Sequence, residues 1–189
     1  MKRLSLLVVI WMICLCSSNA SAQEWQMLKG SNLSFSSSFQ GEAFSGSFTK
    51  FTPQIRFDPK NLKQSRFDVV IYLASANTQN IERDDTLKTA DFFDVTKTAT
   101  ALFTARQFQA LGNGKYLAKG QLSLRGISKP VNLQFTWQQN KSAVLIGEAV
   151  INRLDFNVGI GDWKDISLLP NTVKISTKLV LIRKVPTKP

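Results

Sequence analysis

The chain has 189 residues, with 24 Lys and Arg against 13 Asp and Glu, two Cys and no His, which is enough for one domain. Both cysteines, Cys14 and Cys16, fall within the first sixteen residues. Beyond them there can be no disulfide framework, no thiolate nucleophile, no Cys or His metal site and no Ser-His-Asp triad, so the chemistry left is that of carboxylates, Lys, Tyr and Ser, or none.

Lys2 and Arg3 precede an apolar run over residues 4–16, and Ala20-Ser21-Ala22 follows. A basic start, a short apolar stretch and a small-x-small site are the features of a secretory signal peptide, predicted over 1–22 with the mature chain starting at Gln23. The run is short for a membrane span, and Ile13 and Leu15 stand where a lipid-attachment motif would place a small residue. The expected location is the periplasm, reached through cleavage of this segment.

From there the pattern has period two. Leu33, Phe35, Ser37 and Phe39 alternate with Asn32, Ser34, Ser36 and Ser38; Phe67, Val69, Ile71 and Leu73 alternate with Arg66, Asp68, Val70 and Tyr72. Leu102 sits between Ala101 and Phe103. Further runs follow at 115–124, 131–138 and 173–179. Such alternation predicts half-buried antiparallel strands. Turn residues separate them, among them Gln40-Gly41, Asp58-Pro59 and Pro170-Asn171. Asn113-Gly114 is a hairpin signal, which Gly112 before it extends to an expected loop of more than two residues. One short helix is predicted over 84–90, capped by Asp84 or Asp85. The expectation is an all-β domain over 23–182, sandwich or barrel, followed by a basic C-terminal tail over 183–189.

Three groups of side chains are candidates for function. The 13 phenylalanines all follow residue 22 and lie at alternate strand positions or strand ends; they fit either the aromatic core of a sandwich or the lining of a cavity in an eight-stranded barrel. Asp84, Asp85, Asp91 and Asp94 could do acid–base work or hold a cation, but EF-hand spacing and its glycine are missing, and capping of the short helix explains them more simply. Arg56, Lys60, Lys63 and Arg66 surround one turn, and Lys115, Lys119, Arg125 and Lys129 flank another. A formal net charge of +11 suggests an acidic partner, such as anionic headgroups, a pyrophosphate or an acidic protein. Export argues against nucleic acid.

Three segments carry a resemblance: Phe51-x-x-x-Ile55-x-Phe57-Asp58-Pro59, then residues 83–94 (RDDTLKTADFFD), then residues 120–131 (GQLSLRGISKPV), with Asn152-Arg153-Leu154-Asp155-Phe156-Asn157-Val158-Gly159-Ile160 near the end. In order and spacing they resemble the YceI-like family over about Gly30 to Leu181. The resemblance implies a single lipocalin-like antiparallel β-barrel that holds a polyisoprenoid in its interior, with no enzymatic activity and no cofactor beyond such a lipid. Many members carry a His near the first strand and another after it; here those positions are Gly30 and Phe39. It tilts the phenylalanines toward a cavity, with Phe35, Phe39, Phe48, Phe57, Phe92, Phe93, Phe103, Phe135 and Phe156 as the expected ligand-binding set. Phe92 and Phe93 are expected to plug one end, with Asp91 and Asp94 held by local backbone N–H groups.

The function expected on these grounds is a periplasmic carrier for an isoprenoid lipid, either a quinone or a prenyl phosphate, in passing contact with a membrane surface or a membrane redox protein. The alternative is a soluble partner of a membrane redox protein without bound lipid, its basic surface making the contact. A homodimer is compatible with either. A hydrolase or isomerase built on Asp84 and Asp91 is the third class.

Overall fold

The structure, a computed structural model, describes residues 23–184. The expected signal peptide and most of the basic tail lie outside them. Eleven strand segments and one α-helix follow in order: β1 (Glu24–Met27), β2 (Asn32–Phe39), β3 (Glu42–Phe48), β4 (Phe51–Arg56), β5 (Arg66–Tyr72), β6 (Ala76–Asn77), α1 (Ile81–Lys88), β7 (Thr100–Gly112), β8 (Lys115–Leu124), β9 (Ile127–Gln139), β10 (Ala143–Asn152) and β11 (Thr172–Arg183). Three of the staves are broken in two: β1 continues into β2, β3 into β4, and β5 into β6. Each stave pairs antiparallel with the next, and β1 and β2 both pair with β11, which closes an eight-stranded barrel. Closure satisfies the edges that an open sheet would leave bare.

The alternation explains the faces. On β9, Val131, Phe135 and Trp137 are buried while Asn132, Gln134 and Gln138 are exposed. On β10, Ala143, Leu145, Gly147 and Ala149 point inward, and the outward positions include Ile146 and Val150, 50% and 61% exposed. Apolar residues on both faces hide its period, and no strand is predicted there. β11 runs through Arg183, and Lys184 N donates to Glu24 O at 2.9 Å, so the last stave passes the expected boundary at 182.

Two local expectations are corrected. The β7–β8 connection is a two-residue hairpin, Asn113-Gly114, with φ of 51° and 71° between the paired Gly112 and Lys115. Two positive φ values match the twist of the strands, a geometry Asn and Gly adopt at little cost; Gly112 belongs to the strand, beside a register shift at Ala110. The helix starts earlier than expected and its cap is Asn80, whose side chain accepts from Arg83 N at 2.9 Å. Asp84 lies inside the first turn and accepts from both the backbone N and the hydroxyl of Thr78, each at 2.7 Å.

Outside the barrel, Asp68 on β5 lies between Arg66 at 2.6 Å and Arg106 at 2.5 Å. Partial burial alone would raise its pKa; hydrogen bonds and charge from the two guanidinium groups outweigh that and hold it below the ordinary carboxylate value. A depressed folded pKa stabilises the protein above the unfolded value of about 3.9, and the contribution is lost as pH falls through the folded one. The melting temperature of Asp68→Asn is therefore expected below that of the parent at neutral pH, with the gap closing under acid below about pH 4. A gap that stays constant through the acid range would refute this account.

Candidate functional site

The interior divides into two apolar clusters along the barrel axis. The lower one, where β1 meets the end of β11, is aromatic: Trp25, Phe57, Phe67, Phe135 and Trp137 are buried with Leu145, Leu179 and Leu181. Phe57 is fully buried, and its ring centroid lies 4.8–5.9 Å from those of Phe67, Phe108, Tyr116, Phe135 and Trp137. Trp25 Nε1 donates to Phe57 O at 2.9 Å, so the one polar atom of that indole is satisfied inside the plug. These rings fill the lower end.

Above them is a cavity of about 190 Å³ whose walls are almost wholly hydrocarbon. Of the nine expected residues, Phe35, Phe48, Phe92, Phe93 and Phe103 line it. The other four do not. Phe57 and Phe135 belong to the aromatic plug. Phe156 is buried in the upper cluster behind the lining. Phe39 faces inward at the rim but is 36% exposed, its ring 5.9 Å from that of Trp163. Phe44, Phe51 and Phe67, outside the expected set, line it as well, and aliphatic side chains complete the wall, among them Leu33, Val69, Ile71, Leu122, Leu133 and Val173. Each of these aliphatic residues sits in a run of alternation, which gives its inward face but not its height along the barrel axis.

Three polar residues reach the lining: Ser37, Thr177 and Arg153. Ser37 Oγ is buried without a protein partner. Arg153 is 3% exposed, and all its donors are used on backbone oxygens: Nε to Pro170 (3.0 Å), Nη1 to Val158 and Gly159 (3.0 and 2.7 Å), Nη2 to Trp163 and Leu169 (2.6 and 2.7 Å). Burial pushes its guanidinium below the ordinary arginine value. It is a clamp on the 153–171 crossover rather than a free cation. Gly159, at φ 72°, completes it, because a Cβ there would overlap Arg153 Nη1.

The upper end is shut by this crossover together with residues 91–98. Phe92 packs edge-on against Trp163 at 5.2 Å, and Phe93 lies 6.0 Å from Phe48. The two segments are tied by the carbonyl of Asp91, which accepts from Gly159 N (2.7 Å) and Ile160 N (3.0 Å). Arg125, in the turn after β8, donates to Phe92 O and to Asn157 O. The expectation for the acids is corrected in part: Asp94, buried at φ 50°, takes the Thr96 hydroxyl at 3.1 Å and pairs with Lys97 at 3.3 Å, while Asp91 acts through its main chain.

Gly120 sets the depth of the wall. A Cβ there would overlap the ring of Phe103 and stand 2.8 Å from Thr104 O. Gly120→Ala is expected to push Phe103 into the cavity, at a cost of about 1–3 kcal/mol for overpacking. The ring displaced into the cavity and a reduced free volume should be visible in a crystal structure of the variant. An unchanged cavity would show that Phe103 yields elsewhere.

The comparisons with known proteins agree with this architecture. The family model described as YceI-like domain matches residues 25–181. A UPF0312 protein of Vibrio campbellii is 30% identical over 154 residues, spanning 76% of this chain and 82% of that relative. The crystal structure of Burkholderia cenocepacia BcnA is 31% identical with a TM-score of 0.77, covering 79% of this chain and 95% of its own. A polyisoprenoid binding domain from Saccharophagus degradans, implicated in plant cell wall breakdown, shares the fold at 18% identity and a TM-score of 0.67, over 86% of this chain and 99% of that one.

Proposed function

Because the chain belongs to the YceI-like domain family, we propose that it binds an isoprenoid lipid, with the tail inside the barrel, and carries it across the periplasm. The observation that carries this reading is the cavity itself: a closed barrel that fills its lower end with rings leaves the space above them empty and lined with hydrocarbon. Empty space of this size costs stability, since its walls forgo contacts. A retained cavity is therefore better explained by an occupant than by packing. The Saccharophagus degradans domain, described as binding polyisoprenoids, supports the choice of chain.

The energetics suit a carrier. Each exposed methylene costs ~0.8 kcal/mol, so a five-carbon unit left in water costs about 3–4 kcal/mol. Transfer from a bilayer to a dry cavity is close to neutral, which permits both loading and release. At roughly 10–15 Å³ of free space per water-sized group, the cavity takes on the order of fifteen carbons, or about three isoprene units. The donors of Arg153 are spent on carbonyls, so among the described residues the cavity lining offers no free cation to a phosphate. A quinone ring or a prenyl alcohol could enter whole; a prenyl phosphate would keep its charged head outside.

The test is native mass spectrometry and organic extraction of protein purified without detergent. An isoprenoid is expected among the extracted lipids, and uptake of one from loaded vesicles. Protein that carries no lipid and acquires none would refute the reading.

A further inference from the structure

Both ends of the barrel are shut, the lower by the Trp25–Phe57–Trp137 plug and the upper by the crossover that Arg153 pins. A ligand inside leaves either by displacing one of these caps or between two staves. Most seams are single runs of pairing, and the β9–β10 seam, paired from Ala143↔Gln139 to Glu148↔Gln134, is open only at its upper end, where the Arg153–Phe156 turn contacts β9. The seam between the first stave (β1/β2) and the second (β3/β4) is different. It pairs at Glu24↔Arg56 and Trp25↔Ile55, and again from Ser34↔Ser47 to Phe39↔Glu42. Between these, residues 26–33 and 48–54 have no pairing with one another. Eight residues lie between Trp25 and Ser34, but seven between Ser47 and Ile55, so the first stave carries an extra residue.

The first stave's bulge is bound to the other side. Leu28 N donates to Val180 O at 2.8 Å, and Ser31 Oγ accepts from Val180 N at 2.9 Å, which draws residues 28–31 toward β11. The second stave is likewise held by β5, through pairs from Phe51↔Ile71 to Arg56↔Arg66. It carries Pro53 in the unpaired stretch. A proline has no N–H for a ladder and is confined to edges and bulges, so Pro53, in register with Val69 on β5, has no donor to give the first stave. The side chains facing inward at the gap, Leu33, Phe48 and Phe51, line the cavity, and Phe48 and Phe51 are only half-buried.

We propose that this seam is a lateral door through which an isoprenoid tail enters and leaves the cavity, with Phe48 and Phe51 as its movable leaves. The proposal rests on the binding function above. Opening it requires side-chain rotation and a small spreading of two staves that share no ladder there, whereas a seam with a continuous ladder would have to break several backbone hydrogen bonds. The rim is suited to a polar or anionic head that remains outside: its charged residues are Lys29 and Lys50, with no acid among residues 26–33 and 48–54.

The experiment blocks the door from outside. The full chain with Cys14→Ser and Cys16→Ser receives one cysteine, at exposed Thr52 on the seam or at exposed Gln134 on the opposite wall, and each is coupled to a bulky polyethylene glycol maleimide. Uptake of a fluorescent prenyl alcohol from phosphatidylglycerol-containing vesicles is followed by stopped flow, with melting curves to verify folding. The Thr52 conjugate is expected to load about tenfold more slowly than its unlabelled form, as for a blocked gate, and the Gln134 conjugate at an unchanged rate. Equal rates for the two conjugates would overturn the door while leaving lipid binding intact. Failure of even the unlabelled proteins to take up the probe would overturn the binding function, and the door with it.

Discussion

Arg153→Met is expected to be among the most destabilising single substitutions in the protein. The guanidinium donates five hydrogen bonds to carbonyl oxygens of a crossover that has only short helical turns of its own. Bonds from a charged donor are worth about 1.5–3 kcal/mol each but do not add fully, and some of the freed carbonyls would find water. A loss of about 4–5 kcal/mol follows, in the range that marks a broken buried network. Arg153→Lys should recover little, because an ammonium has three donors at one point and cannot reach oxygens on both sides of a planar fork. Urea denaturation gives the difference directly. Hydrogen exchange should show residues 153–171 losing protection ahead of the lower barrel. A loss below about 1 kcal/mol would mean that the crossover holds itself.

Phe57→Ala is the second. The ring is fully buried and meets five other aromatic rings. Truncating a core Phe costs about 3–5 kcal/mol, and aromatic pairs add roughly 0.5–1.5 kcal/mol each beyond buried area, so the upper part of that range is expected. The substitution also opens space below the cavity. Phe57→Leu, which keeps most of the volume, should fold and retain the parent's lipids, whereas any folded Phe57→Ala protein should accept longer tails. Loss of lipid in a well-folded Leu variant would place Phe57 in the binding wall and count against a separate plug.

How far the sequence speaks for this protein depends on the residue. Leu33 to Phe39, Phe67 to Leu73 and Val131 to Trp137 each declare a strand because one face meets water and the other does not. β10 stays hidden because Val144, Ile146 and Val150 occupy outward positions. β4 is obscured by Pro53, which belongs to an unpaired seam that no local pattern announces. For the site, alternation says which residues point inward but nothing about height along the axis. Phe57 and Phe103 are both inward-facing; the first meets rings arriving from β5, β7, β8 and β9, and the second meets open space. That difference comes from the register of distant strands. Arg153 could be read as part of a family motif, but its five carbonyl partners are supplied by chain folding back from residues 158–170.

The closing ladder has its own consequence. Trp25 pairs with Arg183 and Phe35 with Ile175, so the contacts that turn a sheet into a barrel join the two extremes of the described chain. Loops of that size carry a large entropic cost before any contact rewards it. A chain emerging N-terminus first therefore exists as a curled, open meander, its greasy inner face uncovered, until β11 arrives. The last stave acts as a latch. Removing residues 172–184 would leave an unsealed sheet with two bare edges, a species prone to stick to its neighbours rather than a smaller barrel.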